Sequence, residues 1–268
     1  MTAHRILVKV GGATLDDPGS RGRFAESVAR AVAAGDEVAV VHGGGAQVSR
    51  MTAALGLVPQ RVRGLRVTDD ETARVVLQVL AGEVNALLVA ALQAAGADAI
   101  GVSGADGGLF KAAPQDPALG RVGTVVHADG AVLERILGAG FVPVIATVAP
   151  APGETDVFLN VNADAAVAPL ASAWRADMVL FLSDVAHVQD HGERVESLDR
   201  AAFEALETDG VIVGGMLPKV EAALDAADAL PEALVKIATA FASDPIAAAV
   251  QTSHGTLLTA QVRSLSNG

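Results

Sequence analysis

The chain has 268 residues, 51% hydrophobic and 19% charged, which supplies a sizeable core and excludes a disordered chain. Aromatic residues make up 3% and the formal net charge is -12, so base-stacking surfaces are nearly absent, the charge is opposite in sign to that of a duplex-wrapping protein, and no nucleic-acid partner is expected. It contains no cysteine, which removes disulfides, thiolate catalysis and cysteine-bound zinc together.

Apolar β-branched runs alternate with Ala-rich amphipathic stretches. Residues 6–10 read as a short buried strand, 23–34 as a helix stopped by Gly35, and 38–41 as a second strand. Residues 47–55 read as a helix ending at Gly56, followed by two further helices at 69–80 and 83–95, the latter closed by Gly96. Residues 99–102, 142–145 and 178–182 are more buried strands. Strands separated by helices at this spacing predict an α/β fold: an open, mostly parallel sheet covered on both faces. The stretch 111–130 is rich in Pro, Gly and short β-like pieces, which suits rim hairpins. Residues 149–154 form a turn before another short strand, and the apolar run 211–213 reads as a strand. The expected division is an N-terminal lobe at 1–173 and a C-terminal lobe at 174–268. No apolar run reaches the ~18 residues of a membrane span, and no hydrophobic signal region precedes the first strand, so a cytoplasmic protein without a membrane partner is expected.

Three glycine clusters each follow an apolar run: Gly11-Gly12, Gly43-Gly44-Gly45 and Gly214-Gly215. Glycine lets bare N–H groups meet a phosphate, and it equally serves a tight strand-to-helix turn. Their position at the C-terminal ends of parallel strands favours a ligand site. No Gly-x-x-x-x-Gly-Lys-Ser/Thr occurs. The dinucleotide fingerprint fails at Val48, and Val62-Arg63-Gly64-Leu65-Arg66 stands where an acidic ribose partner belongs.

Lysine is scarce: Lys9, Lys111, Lys219 and Lys236. Lys9 lies inside an apolar strand beside Gly11-Gly12, so it either snorkels from a sheet edge or aims a compact cation at phosphoryl oxygens. In Asn160-Val161-Asn162-Ala163-Asp164, helix capping accounts for one of the three polar residues and does not need all of them. Thr68 or Asp69 can cap the next helix, with Asp70 and Glu71 in its first turn. Arg66 is either a solvated loop residue or a fork for a carboxylate. His187 and His191 are spaced i, i+4, but Gly192 and Gln189-Asp190 suggest a turn, and no metal site is expected.

Six stretches occur in the order and spacing of a known family. They are Val8-Lys9-Val10-Gly11-Gly12, His42-Gly43-Gly44-Gly45, Gly64-Leu65-Arg66-Val67-Thr68, Leu80-Ala81-Gly82-Glu83-Val84-Asn85, Asn160-Val161-Asn162-Ala163-Asp164 and Gly214-Gly215-Met216-Leu217-Pro218-Lys219. Together they resemble the amino acid kinase family, in particular its branch acting on N-acetyl-L-glutamate, across essentially the whole chain. The resemblance implies an open α/β/α sandwich whose N-terminal lobe binds the acylated amino acid and forms a homodimer, while the C-terminal lobe binds ATP. It implies transfer of the γ-phosphoryl group of ATP, with Mg2+ carried by the nucleotide, to the side-chain carboxylate of N-acetyl-L-glutamate in arginine biosynthesis. By position, Lys9 and Lys219 match the lysines that stabilise the transferring group, and Asp164 the carboxylate that holds them. Gly11, Gly12 and Gly43 match phosphate-binding positions, with Gly12 and Gly45 donating N–H groups to the γ-phosphate. Gly44, Gly45, Arg66 and Asn160 match substrate contacts, Arg66 gripping the α-carboxylate. Asp184, Val185, His187, Val213 and Gly215 match the nucleotide site, where His187 replaces the usual Gly and Val213 the usual Thr. The 253–256 stretch lacks the pattern of arginine-inhibited relatives, so an arginine-insensitive enzyme is expected. A related kinase acting on a carrier-linked amino acid would need a basic docking surface, which this charge balance does not supply. A non-catalytic sensor of the same fold would not need both lysines and Asp164.

Overall fold

The structure, a computed structural model, describes residues 3–62 and 64–260. In chain order its strands are β1 (Arg5–Val10), β2 (Glu37–His42), β3 (Arg61–Val62), β4 (Leu65–Arg66), β5 (Ala99–Ser103), β6 (Phe110–Pro114), β7 (Val122–Ala128), β8 (Val142–Ala146), β9 (Val148–Pro150), β10 (Phe158–Val161), β11 (Met178–Ser183), β12 (Gln189–Asp190), β13 (Glu193–Arg194), β14 (Ser197–Leu198), β15 (Leu234–Thr239) and β16 (Thr256–Leu258). The α-helices are α1 (Gly12–Asp16), α2 (Pro18–Ala33), α3 (Gly45–Ala54), α4 (Asp70–Leu77), α5 (Asn85–Ala94), α6 (Gly130–Gly138), α7 (Val167–Trp174), α8 (Arg200–Thr208), α9 (Met216–Ala229) and α10 (Pro245–Val250).

Eight strands form one sheet in the order β14-β16-β15-β11-β1-β2-β8-β5. Every pairing in it is parallel except β15 with β16. Side chains alternate along each strand, so β1 serves two cores. Ile6, Val8 and Val10 pack with Phe24, Leu88 and Leu92 on one face, and Leu7 packs with Leu170, Trp174 and Leu224 on the other. Both faces are covered, as the run of strands and helices predicts, and Lys9 shares the face of Leu7. The stretch 111–130 does form an antiparallel hairpin, β6 with β7. It belongs to a smaller sheet in the order β6-β7-β10-β9, whose β10 follows the expected turn.

Three features differ from expectation. The two helices expected between 69 and 95 are one run, because residues Gln78–Val84 form a π-helical stretch that joins α4 to α5. Gly82 keeps helical backbone angles and stops nothing; the run ends where Gly96 takes φ 91. The joined helix Asp70–Ala94 is long and apolar enough, by length and composition, to cross a membrane, with mean hydropathy 2.0 in its most apolar window. One side of it lies on α2, β5 and β8. The third difference is 211–213, which is a loop. After Gly210 turns the chain at φ 69, the N–H groups of Val211 and Ile212 both donate to Leu206 O, at 2.9 and 3.2 Å. Gly214-Gly215 therefore opens α9 from a loop and not from a strand end. The turn expected near His191 is present between β12 and β13, where His191 and Gly192 have φ 46 and 90.

Candidate active site

The C-terminal ends of β1, β2 and β8 open into a cavity of about 240 Å³. Lys9, Gly12, Gly43, Gly44, Gly45, Arg66, Asn160 and Asp164 all line it. Lys9 is buried, and its Nζ lies 2.7 Å from Asp164 Oδ1. Lys219, in the first turn of α9, brings its Nζ to 3.5 Å from the same oxygen. Two cations far apart in sequence thus converge on one carboxylate. Burial works to raise the Asp164 pKa, but the Lys9 and Lys219 charges outweigh it and hold the carboxyl below its ordinary value. Burial and then the Lys9 charge lower Lys219, with Asp164 opposing them.

The local sequence explains why Asp164 is available for this pairing. Asn162 Oδ1 accepts from the N–H groups of Asp164 and Ala165, at 2.8 and 3.2 Å, closing a turn ahead of α7. The N-cap of that helix is Ala166, with no side-chain bond, so the expected cap is not made and the Asp164 carboxylate is left to the lysines. Asn160, on β10, donates from Nδ2 to Thr68 Oγ1 at 3.1 Å, and Thr68 Oγ1 donates to Arg66 O at 3.0 Å. Arg66 is buried; its Nη2 donates to Gly45 O at 3.1 Å and to Ser49 Oγ at 2.5 Å. Its Nη1 is buried with no hydrogen-bond partner among the described residues, and desolvation followed by the Arg61 charge lowers the pKa of the group. A guanidinium with one open donor inside a cavity fits a carboxylate ligand.

The two glycine loops touch. A Cβ on Gly12 would come within 3.1 Å of Gly44 Cα and 3.3 Å of Gly45 N, so the approach requires bare backbone. Gln47 Nε2 donates to Gly12 O at 2.9 Å and ties the loops together. The N–H groups of Gly12, Gly44 and Gly45 make no hydrogen bond among the described residues. Gly11 differs: its N–H donates to Leu182 O at 3.3 Å, and it lies outside the cavity lining.

Sequence reasoning missed several lining residues. Thr147, just past β8, is buried on the cavity wall, and its Oγ1 has no partner among the described residues. Its position after a buried strand on the ligand edge was the available signal. Val48, Leu65, Val76, Leu80 and Val122 form an apolar side; Leu65 and Leu80 belong to the motif stretches, but Val76 and Val122 to none. Arg63 lies outside the described residues. A second cavity, of about 310 Å³, gathers Val185, His187 and Val213 with Ile212 and Met216. Asp184 and Gly215 flank these residues in sequence but do not line it. Asp184 Oδ1 accepts from Ser183 Oγ at 2.8 Å.

A parallel sheet whose strand ends carry glycine loops, with a buried lysine on β1 and a half-buried one on α9 meeting at one carboxylate, defines an anion-binding α/β protein. Comparison with known proteins narrows the class. The description "Amino acid kinase family" matches residues 4–236. A protein named acetylglutamate kinase from Solibacter usitatus is 44% identical over 223 residues, covering 83% of this chain and 86% of the relative. Another of that name from Methanopyrus kandleri is 42% identical over 234 residues, covering 83% and 90%. The solved structure of smu.665 from Streptococcus mutans UA159 superposes with a TM-score of 0.84 at 26% identity, covering 96% of this chain and 98% of that one. The chain belongs to the amino acid kinase family.

Proposed function

We propose that the protein transfers the γ-phosphoryl group of ATP to the side-chain carboxylate of N-acetyl-L-glutamate, giving an acyl phosphate and ADP for arginine biosynthesis. One observation carries the reading: the ammonium groups of Lys9 and Lys219 meet on a single oxygen of Asp164 at the cavity wall. The acceptor carboxylate has an ordinary pKa of about 4.3, so it is an anion near neutral pH and needs no general base. A new bond forms between its oxygen and the γ-phosphorus while the bond to the bridging β,γ-oxygen breaks. The difficulty is that an anion attacks a polyanion, and preorganised cations and N–H groups relieve it.

In this proposal Lys9 and Lys219 neutralise the migrating group, and Asp164 holds them. Gly12 and Gly45 donate N–H groups to the γ-phosphate, with Gly43 shaping that loop. Gly44, Gly45 and Asn160 meet the substrate, and the open Nη1 of Arg66 takes its α-carboxylate. The second cavity, with Val185, His187 and Val213, takes the nucleotide base side. Magnesium arriving with the nucleotide would supply further charge neutralisation on the phosphates. The division at 1–173 and 174–268 follows the same reading, since the first cavity is lined from residues 9–164 and the second from 185–216. A homodimer is also part of the proposal, supported by the exposed apolar Leu87, Ile100 and Phe141 beside the edge strand β5. Light scattering should give twice the 26.9 kDa chain mass. A cytoplasmic setting belongs to the same reading, since the reaction consumes ATP.

The test is incubation with MgATP and either N-acetylglutamate or free glutamate, trapping acyl phosphate with hydroxylamine. Hydroxamate with the acetylated acid alone is the expected result. Product from free glutamate at an equal rate, or none from either acid, refutes the assignment.

A further inference from the structure

His42, the last residue of β2, and Asn85, the first of α5, are both buried and do not line the cavity. The Asn85 amide nitrogen lies 2.8 Å from Val144 O and 3.0 Å from His42 Nε2. A carbonyl oxygen only accepts, so the amide atom facing Val144 O must be Nδ2. Its second hydrogen then points at Nε2, which must present a lone pair. A neutral imidazole therefore carries its proton on Nδ1, which lies 3.1 Å from Gly43 O, another acceptor. Burial keeps the ring neutral by pushing His42 down to about 4, against the smaller upward pull of its bond to Gly43.

This bond reaches the cavity through one peptide unit. The unit is planar and trans, so Gly43 C=O and Gly44 N–H point in opposite directions. Whatever fixes Gly43 O also aims Gly44 N–H, which makes no hydrogen bond among the described residues. Gly44 has no side chain to hold it, and a Cβ there would meet Leu80 Cδ2 at 2.5 Å. A separate observation shows that the fold makes room for the arrangement. A Cβ on Gly101 of β5 would lie 1.8 Å from Asn85 Oδ1, so that strand position is bare where the amide sits. We propose that His42 and Asn85 are a positioning pair: Asn85 sets one neutral tautomer of His42, and that ring holds the Gly43–Gly44 peptide so that Gly44 N–H faces the anion bound between the glycine loops. The inference rests on the phosphoryl-transfer reading above for the nature of that anion.

Two measurements test it. In wild-type protein labelled with 15N-histidine, the His42 ring, identified by its loss in His42→Asn, should show a single Nδ1–H tautomer that does not titrate between about pH 5 and 8. An Nε2–H tautomer, or titration near pH 6.5, overturns the proposal. Asn85→Leu should let both tautomers coexist; a single Nδ1–H tautomer in that variant counts against the role of Asn85. In kinetics, His42→Leu should lower kcat/KM for the acylated amino acid by about 10–100-fold, with the KM for MgATP changed by less than about twofold. His42→Asn, which returns an amide N–H close to the place of Nδ1–H, should recover about tenfold of that loss. Unchanged kcat/KM in His42→Leu, or equal losses in both variants when circular dichroism shows them folded, overturns the proposal. Should His42→Leu fail to fold, the tautomer measurement on the wild type decides alone. Absence of acyl phosphate from the wild type would sink the proposed reaction while leaving the tautomer result to be judged by itself.

Discussion

Asp164 holds two ammonium groups with one oxygen, and Lys219 is the more loosely held, at 3.5 Å against 2.7 Å for Lys9. Removing either cation leaves the migrating group short of a charge in a site where little water can replace it. Lys9→Ala and Lys219→Ala should each lower kcat by about 10²–10³, and near-normal turnover in both would contradict their role. Lys219 is held below the usual lysine value of 10.5, first by burial and then by Lys9. The proposed kcat should therefore begin to fall below that pH, and Lys219→Arg should remove this alkaline limb even if it slows the reaction. The sign for His42 is separate. At about 4 in the fold against 6.5 ordinarily, it binds a proton on unfolding between those values. Stability is then lost as pH falls through that window, on the order of 3 kcal/mol. Urea titrations at pH 7 and pH 4.5 should show the loss, and His42→Asn should flatten it. Asp164, also depressed, acts lower: its contribution is present above the ordinary 3.8 and is lost as pH falls further through its folded value. At this scale the sequence is most readable where one residue has two competing uses. Three polar residues precede α7 and a cap needs one; the structure uses none of them as the cap, since Ala166 holds that place and Asn162 closes the turn before it, and all three line the cavity. Gly11 shows the limit, since the direction of one N–H depends on which carbonyl of β11 lies opposite it.

The helical run Asp70–Ala94 shows what periodicity cannot supply. A strong 3.6-residue pattern on each side of Gly82 reads as two helices because glycine is the commonest helix stop. The π-helical turn changes the local period and carries the chain through. It also presents Leu80 and Val84 to Gly44 and delivers the chain to Asn85, the first residue of α5, opposite His42, so the element that hid the join builds the back of the glycine loop. The run 211–213 fails for the opposite reason. Three β-branched residues suit a strand, but no strand among the described residues pairs with them, and of the three only Ile212 is buried. By contrast the parallel strands β1, β2, β5, β8 and β11 and the 111–130 hairpin follow directly from apolar runs and Pro/Gly punctuation, because local chemistry and burial agree there. An element-scale prediction follows from Gly101. Gly101→Ala places a Cβ 1.8 Å from Asn85 Oδ1, so the amide must leave His42 or β5 must shift. We expect destabilisation of about 1–3 kcal/mol by denaturant titration. Proposed turnover should fall too, although residue 101 lines no part of the first cavity. Full stability and turnover would show that Asn85 is free to move.

On the whole molecule, a net charge of -12 must admit two anions, a nucleotide triphosphate and an acylated dicarboxylate. The cations proposed to receive them are concentrated: Lys9, Arg61 and Arg66 line the first cavity, and Lys219 pairs with Asp164 at its wall. Beyond that cavity the surface is on balance acidic, so an approaching anion is repelled by the molecule before it meets the local charge. The two effects have different ranges. Screening length falls from about 30 Å at 0.01 M salt to about 8 Å at 0.15 M, which removes the distant repulsion. The Lys9–Asp164–Lys219 contacts, at 2.7 and 3.5 Å, are far shorter than the screening length and mostly shielded from solvent, so salt reaches them far less. Raising KCl from about 0.01 M to 0.15 M should therefore increase kcat/KM for the acylated amino acid a few-fold, at fixed saturating MgATP, and leave kcat nearly flat. A fall in kcat/KM over the same range would mean that the cavity's own field extends past the protein surface and draws the substrate in, so that the acidic exterior has no say in its capture.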